Sequence, residues 1–217
     1  MQTDFAREQM IEQQLRTWEV FDQRALDAVR TVPREQFVPP AWRGLAFADC
    51  DIALAHGKRM LRPMLIGRIL QELALVGGEE IVEIGTGSGF LSACMAQLGG
   101  RVRSLELHPD IAESARANLR AAAPTLPVEI TVADGMQFSE VACCDVLVLT
   151  ASLPIYQDRF ERALKVGGRL FVVAGAAVPQ EALIVRRVAQ NEWIRESLFE
   201  TALEPMEHAP RPEAFGF

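Results

Sequence analysis

This chain is short of several things, and each shortage excludes a class of protein. None of its apolar runs approaches the ~20 residues that a membrane-spanning helix needs, so no span is expected. The opening segment Met1–Arg16 is polar and carries acids, so no secretory leader is expected either. There are only four cysteines, Cys50, Cys94, Cys143 and Cys144, with no CxxC spacing and two of them adjacent. That excludes a disulfide framework and the common zinc and redox motifs, and it leaves no metal expected. The thiols read as reduced, mostly buried residues of a cytoplasmic protein, with a catalytic thiol as the minor alternative. Positive charge is also scarce: 22 Lys and Arg against 29 Asp and Glu give a net charge of −7. A chain so acidic is not expected to bind nucleic acid or an anionic membrane surface non-specifically. Internal repeats and low-complexity segments are absent.

What is present describes a globular domain. With 49% hydrophobic and 24% charged residues over 217 positions, the chain can bury a substantial core. It divides into a helical extension with a substrate-side loop over 1–76 and a ligand-binding core over 77–217. In the extension, Phe5–Thr17, Arg24–Thr31 and Met64–Leu75 show helical spacing, Pro33 and Pro39-Pro40 punctuate linkers, and Asp51–Leu61 reads as irregular. The core alternates strand-like runs (Ile81–Ile84, Val102–Glu106, Val128–Ala133, Val146–Thr150, Leu170–Val173) with helices at Phe90–Leu98, Pro109–Ala123 and Tyr156–Leu164. That alternation predicts an α/β fold with a parallel sheet. Gly167-Gly168 reads as the end of the last helix. Ala182–Val188 and Trp193–Glu200, around Gln190-Asn191-Glu192, predict an antiparallel hairpin at the sheet's edge. The stretch Pro205–Phe217 is expected to be irregular, with Phe215 and Phe217 available to pack back on the body.

The chemistry concentrates at strand ends, where open parallel sheets bind ligands. Glu83-Ile84-Gly85-Thr86-Gly87-Ser88-Gly89-Phe90 reads as a buried strand breaking into a glycine-rich turn and then a helix. Gly85, Gly87 and Gly89 permit a sharp turn and close approach of a ligand, with Thr86 and Ser88 between them. Glu83 is an acid inside an apolar strand, costly to bury unless partnered. Glu106, followed by Leu107, ends the second strand and suits a ribose diol; Asp134-Gly135 ends the third and suits an adenine amino group. Each acid alone also reads as a solvated loop residue or a helix cap. Three in order along consecutive strands favour a nucleoside ligand. The loop lacks the G-x-G-x-x-G of dinucleotide sites and the lysine of a P-loop. Acids rather than cations around it suit a ligand bearing positive charge and hydroxyls, and S-adenosylmethionine fits better than NAD.

Beyond this loop the chain resembles the protein-L-isoaspartate O-methyltransferase family along nearly its whole length. The resemblance is carried by Met10–Arg16, by Val32-Pro33-Arg34-Glu35-Gln36-Phe37-Val38-Pro39, by Ala46–Asp49, and by Glu83–Phe90, Glu106, Asp134-Gly135, Asp145 and Gly167–Leu170 in the family's order. It implies a Rossmann-like, seven-stranded S-adenosylmethionine-dependent methyltransferase fold, mostly parallel, with an amino-terminal helical extension and a carboxyl-terminal antiparallel hairpin. It also implies carboxyl methylation of isoaspartyl residues in damaged protein or peptide, with Glu83, Gly85, Thr86, Gly87, Ser88, Gly89, Glu106, Leu107, Asp134 and Gly135 holding the cofactor.

One segment departs from the family. Its G-Q-T-I-S-Q-P, whose serine lies beside the reacting carboxylate, aligns with Gly57-Lys58-Arg59-Met60-Leu61-Arg62-Pro63. Leu61 neither donates nor accepts a hydrogen bond, and Lys58, Arg59 and Arg62 are added cations. They read either as a grip on an anionic substrate, Arg59 and Arg62 foremost, or as solvated loop charges. His56 reads either as part of the pocket's closure or as structural. Thr150, Ser152 and Tyr156, where the family's substrate-contacting loop falls, are further candidate contacts. Leu61 leaves two alternatives beside isoaspartyl methylation: another carboxylate acceptor, or a non-catalytic S-adenosylmethionine-binding protein.

Overall fold

A computed structural model describes residues 2–212, so Phe215 and Phe217 lie outside the described residues. The chain opens with α1 (Gln2–Met10), which runs on through a π turn (Ile11–Leu15) and a 3₁₀ turn (Arg16–Trp18) before Glu19, at φ +62°, ends it. The predicted helix Phe5–Thr17 is therefore three helical forms in sequence. Ile11 and Leu15, four positions apart on one helical face, are both buried in the core. Next come α2 (Gln23–Thr31), capped by Asp22 accepting from Arg24 N, and the single turn α3 (Arg34–Phe37).

Asp51–Leu61, expected to be irregular, contains a small antiparallel ribbon, β1 (Ile52–Ala53) with β2 (Arg59–Met60). His56 at φ +54° and Gly57 at φ +70° turn the chain between them, a local conformation that apolar spacing does not reveal. From the ribbon the chain enters α4 (Pro63–Leu73), with Pro63 at its first helical position, where a missing N–H costs nothing.

The sheet strands are β3 (Glu80–Ile84), β4 (Arg101–Glu106), β5 (Val128–Val132), β6 (Cys144–Leu153), β7 (Leu164–Ala174), β8 (Gln180–Ala189) and β9 (Glu192–Thr201). Between them lie α5 (Phe90–Gln97), α6 (Pro109–Ala122) and the short α7 (Asp158–Arg162). Strand order is β5-β4-β3-β6-β7-β8-β9, parallel from β5 to β7 and antiparallel at β8 and β9. The predicted hairpin is there. The predicted helix Tyr156–Leu164 shrinks to Asp158–Arg162, because β7 begins at Leu164 and runs through Gly167-Gly168. The glycine pair sits at a register shift between β6 and β7, with Gly167 at φ +84°, rather than at a helix end.

Both faces of the central strands are buried, with the period of two that a strand imposes. Ile81, Val146, Val148, Phe171 and Val173 join one core with α1, α2, α4, α5 and α6; Val82, Ile84, Leu147, Leu149, Leu170 and Val172 join a second core on the other face. A slip of one residue would exchange these sets, so the register is strongly specified. The consequence for function is positional. The carboxyl ends of β3, β4, β5 and β6 meet where the strand order reverses, and a cavity opens there.

Candidate active site

Around Gly85–Gly89 the backbone conformation is one that only glycine adopts at low cost: Gly85, Gly87 and Gly89 have φ of +97°, +55° and +85°. At Gly85 space is short as well, since a Cβ would overlap the Thr150 hydroxyl, which donates to the Gly85 carbonyl at 2.7 Å. Gly135 is pressed against the Ile84 side chain in the same way. Small residues thus bring three strand ends together. They enclose one wall of a cavity of about 480 Å³, within the usual range for small-molecule sites.

Glu83 lines that cavity with its side chain fully buried. Its Oε2 accepts from the Ser92 hydroxyl of α5 and from the Ser104 hydroxyl of β4, the latter at 2.6 Å. Because Ser104 spends its proton on Glu83, the 2.6 Å contact between Thr86 Oγ1 and Ser104 Oγ has Thr86 as donor. Oε1 is buried and has no partner among the described residues. Burial pushes this carboxyl up to about 7; the two serines pull it down, and the charge of Glu106 raises it. An unpartnered buried carboxylate oxygen at a cavity wall is the clearest ligand signal in the molecule, because leaving it bare is costly.

Glu106, at the end of β4, receives the backbone N–H of Gly87 on Oε2 and that of His108 on Oε1, each at 3.1 Å. Asp134 caps the turn Gly135–Gln137 through Met136 N at 2.8 Å, and its second oxygen lies 2.9 Å from His208 Nδ1. Both carboxylates are held by the loops they serve, and both line the cavity.

The predicted residues divide cleanly. Glu83, Gly85, Thr86, Gly87, Ser88, Glu106, Leu107, Asp134 and Gly135 line the cavity, as do Arg59 and Leu61. Gly89, His56 and Arg62 do not. Gly89 starts α5. His56 stacks flat on His108, with ring centres 4.2 Å apart, and its Nε2 is 2.9 Å from Asp110. It ties the ribbon to the start of α6. Arg62 precedes α4, its backbone N–H held by Asp51 at 3.1 Å. Of the three polar candidates after the fourth strand, only Thr150 reaches the cavity. Ser152 is buried and donates to Leu203 O, and the Tyr156 hydroxyl donates to Glu161 at 2.8 Å. The reason is that β6 runs on to Leu153, which carries those side chains past the cavity. None of the four cysteines lines this cavity, and burial pushes the Cys94, Cys143 and Cys144 thiols up, away from reactive thiolate.

Residues after β9 contribute what pattern reading missed. The segment Ala202–Glu207 folds back over the cavity and lines it. Its backbone pairs with β6 through Ser152 N to Glu204 O (2.9 Å) and Met206 N to Ser152 O (2.8 Å). Its acids take the added cations of the ribbon. Arg59 pairs with Glu204 at 3.0 Å and Lys58 with Glu207 at 2.5 Å, and Glu207 also meets His108 at 2.9 Å. Lys58, then His108, hold the Glu207 carboxyl down at about 2. Lys58 and Arg59 are therefore not solvated loop charges: each pairs with an acid of this strap and latches it. The only sequence-level signal was the pairing of two cations with two acids nearly 150 positions apart, which no local pattern exposes.

A family model described as Protein-L-isoaspartate(D-aspartate) O-methyltransferase matches residues 6–208. The chain is 33% identical to the protein-L-isoaspartate O-methyltransferase of Aeropyrum pernix over 96% of its length and 82% of that protein's. It is 35% identical to that of Methanoculleus marisnigri, over 87% and 86%. Among solved structures it is similar to a Plasmodium falciparum protein described as a protein-L-isoaspartate O-methyltransferase in complex with S-adenosyl-L-homocysteine. There the TM-score is 0.81 at 18% identity, over 93% of this chain and 98% of that one. At that identity the likeness bears on the fold alone.

Proposed function

This chain belongs to the protein-L-isoaspartate(D-aspartate) O-methyltransferase family, and we propose from that premise how its own residues perform the reaction. The chain is an S-adenosylmethionine-dependent carboxyl O-methyltransferase acting on isoaspartyl residues in proteins. The observation that carries this reading into the geometry is Glu83 Oε1, a buried acceptor without a partner among the described residues at the wall of a glycine-lined cavity.

The donor set fits the cofactor. Glu83 would hold its cationic amino-acid end, Glu106 its ribose hydroxyls and Asp134 its adenine amino group, while Gly85 and Gly87 keep the wall free of Cβ atoms. When bound, S-adenosylmethionine supplies an electrophilic methyl group on a positively charged sulfur. A carboxylate acceptor is already ionised at neutral pH, so no side chain has to act as general base. The work left to the protein is positioning and exclusion of water. Leu61, Met60, Ile66, Leu91 and Leu203 give the cavity an apolar side, and an anion stripped of water there is a better nucleophile than a hydrated one. Arg59, at the mouth, meets the acceptor by exchanging Glu204 for it. Leu61 contributes shape rather than a hydrogen bond. His56 and Arg62 act on this side only by holding the ribbon and the start of α4. A cytoplasmic setting belongs to the same reading and is supported by four cysteines that are all free.

The test has two steps: titration with S-adenosylmethionine by calorimetry, then methyl transfer to one peptide in its isoaspartyl and aspartyl forms. The expected result is binding followed by turnover of the isoaspartyl form alone. Binding without isoaspartyl-selective turnover would refute the acceptor; absence of binding would refute the cofactor site.

A further inference from the structure

Arg34 lies in the Val32–Pro39 segment that carries the family likeness, yet the cavity's lining does not include it. Its side chain is wholly buried. Nε donates to Ala46 O at 2.9 Å and Nη2 to Leu61 O at 2.8 Å, while the guanidinium lies over the Phe90 ring, 5.0 Å from its centre. Nη1 is buried with no partner among the described residues. Among those residues Arg34 forms no ion pair. Asp49 and Asp51 act on it only at a distance, and Asp51 Oδ1 is taken by Arg62 N. Lys58 and Arg59 each have a carboxylate; Arg34 has none among the described residues, and a buried charge without a counter-ion is a rare and costly arrangement. Burial lowers its guanidinium to about 10, which leaves it charged at neutral pH. The two residues it touches from behind, Leu61 and Phe90, are themselves walls of the cavity.

We propose that Arg34 is a positioning residue for the methyl acceptor: its buried charge, acting through the wall made by Leu61 and Phe90, draws the acceptor's carboxylate into the cavity. The proposal rests on the carboxylate-methylating reading above. Its sign is distinctive. The carboxylate loses its charge as the ester forms, so a nearby cation stabilises the bound anion more than the transition state. Arg34 therefore serves affinity for the acceptor and not the chemical step. A residue of merely structural importance would move affinity, rate and cofactor binding together.

The experiment compares wild type, Arg34→Met and Arg34→Lys with an isoaspartyl peptide, reading kcat, KM and the calorimetric Kd for S-adenosyl-L-homocysteine. Arg34→Met is expected to raise KM for the peptide at least tenfold, to leave kcat unchanged or raise it up to threefold and to shift the S-adenosyl-L-homocysteine Kd less than twofold. Arg34→Lys, which keeps the charge, should recover most of the KM. An unchanged KM, or a parallel loss in all three quantities, would overturn the proposal. Should Arg34→Met not fold, wild type and Arg34→Lys are compared for binding the isoaspartyl peptide and its uncharged amide counterpart beside S-adenosyl-L-homocysteine. Both proteins should favour the carboxylate at least tenfold, and loss of that preference in either overturns the proposal. A wild type that binds S-adenosyl-L-homocysteine but never methylates the peptide would instead remove the acceptor reading, and the proposal with it.

Discussion

Glu83→Gln separates what the cavity needs from what the fold prefers. The Glu83 carboxyl rises from 4.5 to about 7 on folding, chiefly through burial. Its folded value exceeds its unfolded value, so the folded state binds this proton more tightly. The stability it contributes is complete below about pH 4.5 and is lost as the pH climbs through about 7. A shift of that size corresponds to about 3 kcal/mol at one proton. Glutamine keeps the shape, and its amide oxygen still receives the Ser92 and Ser104 hydroxyls, but it carries no charge to bury. The ligand-free variant should therefore be more stable than wild type at pH 8 and no more stable at pH 5. For a chain of this length each kcal/mol moves Tm by about 2–4 °C, so the gain expected at pH 8 is about 6–12 °C. Binding should move the opposite way. Loss of a charge-assisted hydrogen bond, worth about 1.5–3 kcal/mol, should weaken S-adenosylmethionine about 10- to 100-fold. In wild type the affinity should climb about tenfold per pH unit up to about pH 7 and then level, because the ligand's cation selects the ionised carboxylate. Thermal melts from pH 5 to 8 and calorimetry over the same range decide the matter. A Tm gain identical at pH 5 and pH 8, or undiminished affinity, would refute the assignment of Glu83 as a carboxylate whose buried charge is offset by ligand.

Three further outcomes follow from the same geometry. Gly85→Ala places a Cβ on the Thr150 hydroxyl in a backbone held at φ +97°; it should cost about 1–3 kcal/mol of stability and abolish cofactor binding, by thermal melt and calorimetry. Glu207→Gln unties the strap from Lys58 and His108. Because the pairs are partly exposed and worth at most about 1 kcal/mol each, S-adenosyl-L-homocysteine should leave roughly five times faster in stopped flow, and added salt should reproduce the effect in wild type. Leu61→Ser returns a hydroxyl to the acceptor side and should raise kcat/KM for an isoaspartyl peptide by up to about 10²; an unchanged or lower value would count against the placement of that residue at the acceptor.

Residues whose role depends on their immediate neighbours were legible in the sequence. Glu83, flanked by β-branched residues and followed by alternating glycines, can only sit at a strand end facing a ligand loop, and it does. Glu106 and Asp134 were legible only as a set, as acids ending consecutive strand-like runs, and both line the cavity. Where the reading failed, the deciding interaction was not local. Ser152 and Tyr156 looked like loop residues because nothing in their own stretch shows that β6 continues to Leu153, pairing with Val173 and Ala174 of β7. Gly167-Gly168 looked like a helix stop because glycine is the commonest one, yet its positive φ serves a bulge within β7. Lys58 and Arg59 were ambiguous until Glu207 and Glu204 stood opposite them.

By itself, then, the sequence determined the alternation of strands and helices, the order of the acids along the strand ends and the family to which the chain belongs. These rest on periodicity and on backbone conformations that only glycine or proline supports, which are properties of short windows. Only the tertiary structure decided that Glu83 has an oxygen without a partner among the described residues, that Ala202–Glu207 closes the cavity and latches to the ribbon, and that Arg34 is charged, buried and without an ion pair among the described residues. Those are facts about desolvation and partnership. A charge costs or gains according to what surrounds it in space, and the partners come from segments that the sheet brings together across up to 149 positions of chain.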